Sequence, residues 1–314
     1  MTIKIIKNRS DIGAGTRGSD MGIDAIEIAA INQGDDFFNR YPFEDVETSN
    51  ESIYDKVKNS FAKRINHVVD QCTTLSASVR RNVQEGYFPL VLSGDHSSAL
   101  GTISGVKAAA PEKRLGVVWI DAHADLHSPY TSPSGNIHGM PLGAAIADDN
   151  VAYAVNEVSE GTQKLWNAMK KIGVDGAKIK AEDIIFFGVR DTEEPEEKQM
   201  EKFGIKNFMV AEVRHRGLKT CINEALERLN NCDWIYISFD VDSLDCDLIS
   251  YGTGTPVPKG FDQYEVIGII NGLLASGKIA CLELVEVNPL LDNKGNRMAE
   301  TAFEVLRSVE LDAG

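Results

Sequence analysis

Three short apolar runs end in the same abrupt way, and that shared ending limits the folds open to this chain. They are residues 88–96 (FPLVLSGDH), 115–125 (LGVVWIDAHAD) and 234–242 (WIYISFDVD). Each is rich in β-branched or aromatic residues, as buried strands are, and each stops at His or Asp. In open α/β sheets, ligands bind beyond the carboxyl ends of the strands. Three strands ending this way, side by side, would bring their acids and imidazoles to one crevice.

The rest of the chain keeps the rhythm of such a sheet. Strand patterns are read at 3–6, 89–92, 116–120, 184–189, 207–210, 234–239 and 279–287. Helical patterns fall between them, at 51–86, 162–172, 194–203, 217–230, 263–276 and 296–311. Strands alternating with helices predict a mostly parallel sheet covered on both faces. No repeat, low-complexity tract or long linker divides the chain, so residues 1–314 are expected to form one domain. Residues 33–50 receive no role.

Bulk properties exclude several classes of function. The net charge of −15 leaves no basic patch for nucleic acid. It can draw cationic substrates or metal ions, and it also serves simple solubility. No stretch nears the roughly 20 apolar residues that a membrane span needs. The apolar run at the N-terminus is too short for a signal peptide. The 5 cysteines are odd in number and scattered, which points to reduced thiols in a cytoplasmic protein.

Asp121, His123 and Asp125 are spaced i, i+2, i+4, which on an extended chain puts them on one face. Asp240 and Asp242 repeat the spacing, and His96 comes from a third strand. Imidazole with carboxylate suits Mn, Fe, Co or Zn, and the excess of carboxylate leans toward Mn(II). Four carboxylates are too many for one catalytic zinc, which usually has three protein ligands. A pair of ions needs bridging acids, and Asp121 and Asp240, the first acid of each cluster, are placed to bridge.

Residues 126–140 break the rhythm, being polar and rich in Ser, Thr, Pro and Gly. Such loops on a rigid scaffold commonly carry binding residues. His138 lies in it and suits either proton transfer at neutral pH or plain solvent exposure. Glu286 follows an apolar strand, so it too stands at a carboxyl end, where an exposed strand-end acid is the plain reading. His67 and His215 are read as structural or surface residues.

Taken together, these residues resemble the ureohydrolases, the arginase and agmatinase family, and within it the arginase branch. The matching strings are Gly94-Asp-His96, Asp121-Ala-His-Ala-Asp125, Ser134-Gly-Asn-Ile-His-Gly139, Ser238-Phe-Asp-Val-Asp242, Gly254-Thr-Pro256 and Glu286-Val-Asn-Pro289. A Gly-rich turn, Gly13-Ala-Gly-Thr-Arg-Gly18, is similar as well. The resemblance implies a three-layer α/β/α fold around an eight-stranded, mostly parallel sheet of the kind shared by arginases and deacetylases. It implies two Mn(II) per subunit, one held by His96 and Asp125, the other by His123 and Asp242, with Asp121 and Asp240 shared. It implies attack by a metal-bridging hydroxide on a small guanidino substrate, L-arginine giving L-ornithine and urea. Glu286 would meet the guanidinium and His138 would protonate the leaving amine. Ser134 and Asn136 would hold the α-carboxylate, with Thr255 also at the substrate. A homo-trimer or homo-hexamer is implied, with neither nucleic acid nor membrane as partner.

The chain departs from the arginase pattern at the amino-acid end of that site. His127 stands where arginases typically place Asn, and Glu193 where they place Asp. The segment 243–246 lacks the usual Pro, and the stretch to Thr255 runs one residue longer. Agmatine, guanidinobutyrate and formimidoylglutamate are therefore alternative substrates, although the 134–139 loop argues against agmatine. A single-zinc deacetylase-like enzyme is disfavoured by the complete second ligand set, and a non-catalytic metal-binding protein by the intact candidate shuttle.

Overall fold

The computed structural model describes residues 2–311. Its strands are β1 (Thr2–Asn8), β2 (Phe43–Asp45), β3 (Tyr87–Ser93), β4 (Leu115–Ile120), β5 (Ile184–Phe187), β6 (Lys206–Phe208), β7 (Trp234–Asp240) and β8 (Ile279–Val285). Its α-helices are α1 (Gly22–Asn32), α2 (Phe37–Arg40), α3 (Ile65–Gln84), α4 (Ala99–Ala109), α5 (Pro141–Ile146), α6 (Glu160–Met169), α7 (Glu194–Phe203), α8 (Val210–Arg216), α9 (Leu218–Arg228), α10 (Gln263–Leu274) and α11 (Arg297–Ser308). The strands form one sheet in the order β2-β1-β3-β8-β7-β4-β5-β6, and every pairing is parallel.

Successive strand residues enter opposite cores, as the two-residue period requires. Val118 and Ile120 of β4 pack in a core with α1 and α8–α11, while Val117 and Trp119 pack on the other side with α3–α6. Both faces are covered, which explains why the central strands read as unbroken apolar runs. The three-layer α/β/α expectation therefore holds, with the sheet wholly rather than mostly parallel. Among the described residues no helix is long and apolar enough to cross a membrane. All five cysteines are buried and unpaired.

Several expected elements differ. The long helix expected at 51–86 begins only at Ile65, after Arg64 in the left-handed region at φ 57°. Tertiary bonds win over periodicity there: Lys63 N–H donates to Gly135 O at 2.7 Å, and Thr162 donates to Asn59 Oδ1 at 2.8 Å. The strand expected at 207–210 spans Lys206–Phe208, and Val210 already opens α8. The strand expected at 279–287 stops at Val285. Residues 33–50, left without a role, supply α2 and the edge strand β2, which pairs with β1.

Helix α4 escapes the periodicity reading for a physical reason. Nearly every residue of α4 is buried, between α3 and the sheet, so it has no polar face for periodicity to reveal. The close approach of α3 to α4 rests on small residues. A Cβ on Gly105 would lie 2.7 Å from both Ser76 O and Val79 Cβ. Gly105→Val is therefore expected to lose about 1–3 kcal/mol by overpacking and to lower the thermal midpoint by several degrees. An unchanged midpoint in a melting experiment would mean that the two helices part without cost.

Candidate metal centre

The six expected ligands come from the carboxyl ends of β3, β4 and β7, and β8 adds Glu286. The three strands are not all neighbours, because β8 lies between β3 and β7. Nor is the i, i+2 spacing used on extended chain. The strand β4 ends at Ile120, Asp121 Oδ1 accepts His123 N–H at 2.7 Å, and Asp125 turns into the left-handed region at φ 50°. After β7, Asp240 Oδ1 accepts Asp242 N–H at 2.8 Å across a short 3-10 turn. In each cluster the first Asp folds the backbone so that the following ligand points back to the same place. Just after β3, Gly94 lets the chain pass Ser10, since a Cβ there would lie 2.2 Å from Ser10 O. Asp95 then caps the turn that carries His96, accepting Ser97 N–H at 2.8 Å.

His96 Nδ1 faces Asp121 Oδ2 at 3.0 Å, and Asp125 Oδ2 and Asp240 Oδ2 at 3.1 Å each. His96 Nε2 is engaged by Ser238 Oγ at 2.7 Å, which leaves Nδ1 to the acids. The imidazole lies flat on the Trp119 ring, with centroids 4.0 Å apart and planes inclined by 5°. His123 Nδ1 lies 2.9 Å from Asp242 Oδ2 and 3.5 Å from Asp121 Oδ1. Two ligand clusters result, His96–Asp121–Asp240 and Asp121–His123–Asp242. Asp121 belongs to both, as a bridging acid would. Asp240 joins only the first by this proximity.

These groups call for positive charge. Burial raises Asp240 well above its ordinary carboxylate value, and repulsion from Asp242 and Asp121 raises it further. Burial and the Asp121 charge push Asp242 up to about 6. Burial disfavours charge on His96, yet Asp121, Asp125 and Asp240 outweigh it and raise the imidazole well above its usual value. His96 Nδ1 and Asp121 Oδ2 are buried and lack a hydrogen-bond partner although they face each other. Orphaned donor atoms aimed at one point, made of imidazole and carboxylate, fit divalent first-row ions.

Beside this cluster lies a cavity of about 230 Å³, which His96, His123, Asp125, Asp240 and Asp242 line together with the expected substrate residues. A larger and more open recess of about 570 Å³, lined by residues such as Asp148, Lys180 and Glu182, gathers no histidine. His138 and Glu286 sit together in the smaller cavity, with His138 Nδ1 3.2 Å from Glu286 Oε1. Glu286 also accepts His96 N–H at 2.9 Å and stands at φ 69°. Burial raises its carboxyl, but His138 and the His96 amide more than offset this and hold it below its ordinary value. His138, which burial would lower, is pushed up to about 9 by Glu286.

The two departures from the arginase pattern meet each other. His127 Nε2 lies 3.0 Å from Glu193 Oε2 and 3.5 Å from Glu196 Oε2. Glu193 caps α7 and, bonded to His127, is held down at about 2, while burial pushes Glu196 up to about 8. Ser134 and Asn136 line the same cavity. Thr255 lines it as well, and its hydroxyl donates to Asp242 Oδ2 at 3.0 Å. His67 and His215 lie elsewhere, His67 against Asp55 at 3.1 Å and His215 exposed in the last turn of α8.

The sequence reading missed the supports of this centre. Ser238 and Trp119 hold His96, and Glu283 lies buried beneath, accepting from Tyr236 at 2.7 Å and Ser93 at 2.6 Å. A Ser and a Glu inside two apolar strands were the available signal, since a buried charge needs a reason. Arg190 donates to the carbonyls of Gly188, Asp242 and Val257 at 2.8–3.0 Å, tying together the loops after β5 and β7.

The arginase family model matches residues 2–311. The arginase of Bacillus subtilis (strain 168) is 36% identical over 313 residues, covering 98% of this chain and 97% of its own. That of Brevibacillus brevis is 37% identical over 312 residues, covering 95% and 94%. The native structure of Bacillus caldovelox arginase superposes with a TM-score of 0.81 at 34% identity, covering 98% of this chain and 97% of that one. With ligand strings, sheet order and whole-chain similarity in agreement, this chain is a member of the arginase family.

Proposed function

We propose that this protein hydrolyses L-arginine to L-ornithine and urea and uses two Mn(II) ions per subunit, within one ureohydrolase domain of residues 1–314. The observation that carries the reading is the meeting of two imidazoles and four aspartates beside the cavity that Glu286 and His138 line. His96, His123, Asp121, Asp125, Asp240 and Asp242 would hold the ions. Such ions supply Lewis acidity, making water acidic enough to deprotonate near neutral pH.

The protein's own groups do the rest. Glu286 is a buried anion at the cavity wall, where a guanidinium's N–H groups find a carboxylate partner. His138 holds its proton at neutral pH and lies against Glu286, within the same cavity as the bond to be broken. It donates that proton to the departing amine. Thr255 steadies Asp242 through its hydroxyl. Ser134 and Asn136 receive the α-carboxylate, and His127 with Glu193 faces the α-amino end.

The His127–Glu193 pair favours a second reading. A carboxylate engaged by an imidazole is less available to an α-amino group, which suits a guanidino or formimino acid that lacks one, such as 4-guanidinobutyrate. The proposal also includes a cytoplasmic homo-trimer or homo-hexamer. Exposed apolar side chains such as Ile31 and Leu290 are surface of the kind that oligomers bury.

With Mn(II) loaded, urea release is expected to be fastest from L-arginine among L-arginine, agmatine and 4-guanidinobutyrate. Preference for 4-guanidinobutyrate would move the assignment to the second reading, and no urea from any of the three would refute both. His138→Asn is expected to keep its metal and lose about 10²-fold or more in turnover. A loss below about threefold would remove His138 from the chemistry.

Metal loading carries a pH signature. In the metal-free state, acids with raised values are charged at a cost as pH rises through the carboxylate range to about 6 for Asp242. The raised histidines stabilise that state at low pH and lose this as pH rises, so both effects weaken it in the same direction. Metal binding needs the acids ionised and the imidazoles deprotonated. The rise in thermal midpoint on adding Mn(II) should therefore grow from about pH 5 to about pH 7.5. Asp240→Ala should retain less than a full pair of ions by elemental analysis.

A further inference from the structure

We infer that Lys63 is a positioning residue that selects substrates bearing a carboxylate, acting through Asn136. The inference rests on the guanidino-hydrolase reading and adds a residue to it. Lys63 stands just before α3, in the segment that replaces the expected start of that helix. Its backbone N–H donates to Gly135 O at 2.7 Å, and its ammonium donates to Asn136 Oδ1 at 3.2 Å. One residue therefore grips the cavity loop by main chain and by side chain.

The approach is close and leaves little freedom. Gly135 sits at φ 72°, and a Cβ there would lie 2.1 Å from Ser60 O. From the other side Gly15 closes on the same amide, since a Cβ there would lie 2.5 Å from Asn136 Nδ2. Asn136 is thus held between the N-terminal turn and the 59–64 segment while it lines the cavity.

The chemistry follows from the amide's two ends. A carboxylate accepts hydrogen bonds and offers no donor, so it needs Nδ2 and is repelled by Oδ1. An ammonium gives donors only, so it needs Oδ1. Lys63 therefore decides which end of Asn136 is engaged in the wall and leaves the N–H end for a ligand. It also brings a positive charge to this side of the cavity, and among the described residues no carboxylate pairs with it. Asp191 and Glu193 line the same cavity. A ligand's anionic group is drawn toward Lys63 and Asn136 and repelled by those carboxylates. With Lys63 gone the amide can turn over, and the anion meets a carbonyl oxygen in place of a donor.

The test compares Lys63→Met and Lys63→Arg with wild type, all Mn(II)-loaded and checked for metal content and thermal midpoint. Urea release is measured from L-arginine and from agmatine, which lacks the carboxylate. For Lys63→Met the KM for L-arginine should rise about tenfold or more with kcat nearly unchanged, while agmatine kinetics stay as they were. Lys63→Arg should recover L-arginine to within about threefold of wild type. Equal factors for both substrates, an unmoved KM for L-arginine, or no recovery in the Arg variant would overturn the assignment. Binding of L-ornithine and of putrescine, measured by calorimetry, keeps this separate from the reaction itself. Wild type that makes no urea from either substrate would sink the guanidino-hydrolase reading alone. Lys63 would still stand if Lys63→Met weakened L-ornithine and spared putrescine, and fall if both or neither weakened.

Discussion

Mutual repulsion among four buried aspartates is the constraint around which this protein is organised. Asp121, Asp125, Asp240 and Asp242 are almost wholly withdrawn from water and crowd around the imidazoles of His96 and His123 at 2.9–3.1 Å. Isolated charges in such surroundings are very costly, so the arrangement makes sense only as a demand for cations. Much of the surrounding structure serves that demand. Ser238 and Trp119 fix the His96 ring, Thr255 restrains Asp242, and Arg190 gathers the loops behind it. Asp125 and Glu286 both adopt left-handed backbone, a local cost that sites of chemistry commonly carry.

The second organising feature is that acid–base and binding groups are not separate. His138 and Glu286 touch, and Glu286 also accepts the His96 amide. A single short path thus links the candidate metal ligand, the candidate guanidinium partner and the candidate proton donor. Anything that shifts the β8 end moves all three. Another part of the candidate site is built differently, from the 126–140 loop and the start of α7, and there the chain carries its own variations, His127 and Glu193.

Much of this was legible in the residues because burial and chemistry leave opposite marks. Apolar runs such as 115–120 announce strands buried on both faces, and charged residues at their ends have few explanations besides ligands. The spacing of Asp121, His123 and Asp125 singles out residues that the structure brings together, but turns, not extended chain, aim them. What stayed hidden depends on tertiary context. Helix α4 has no exposed face, so its periodicity is silent. The strand β2 is three residues long and becomes a strand only by pairing with β1. Lys63 lies far in sequence from the loop it grips, and no local pattern marks it.

The order of the strands carries one more consequence. β7 and β8 come last in the sequence yet occupy the middle of the sheet, between β3 and β4. Until they are made, β2-β1-β3 and β4-β5-β6 are half-sheets with open inner margins and no strand to join them. His96 belongs to one half and Asp121 to the other, so neither half owns a complete ion trap. The closing wedge arrives with Asp240, Asp242 and Glu286 on its own tips. During synthesis β7 would have to emerge before the six candidate ligands can meet. Ion capture would then act as a late seal on correct assembly, and a prematurely terminated chain would keep two raw β-margins prone to sticking.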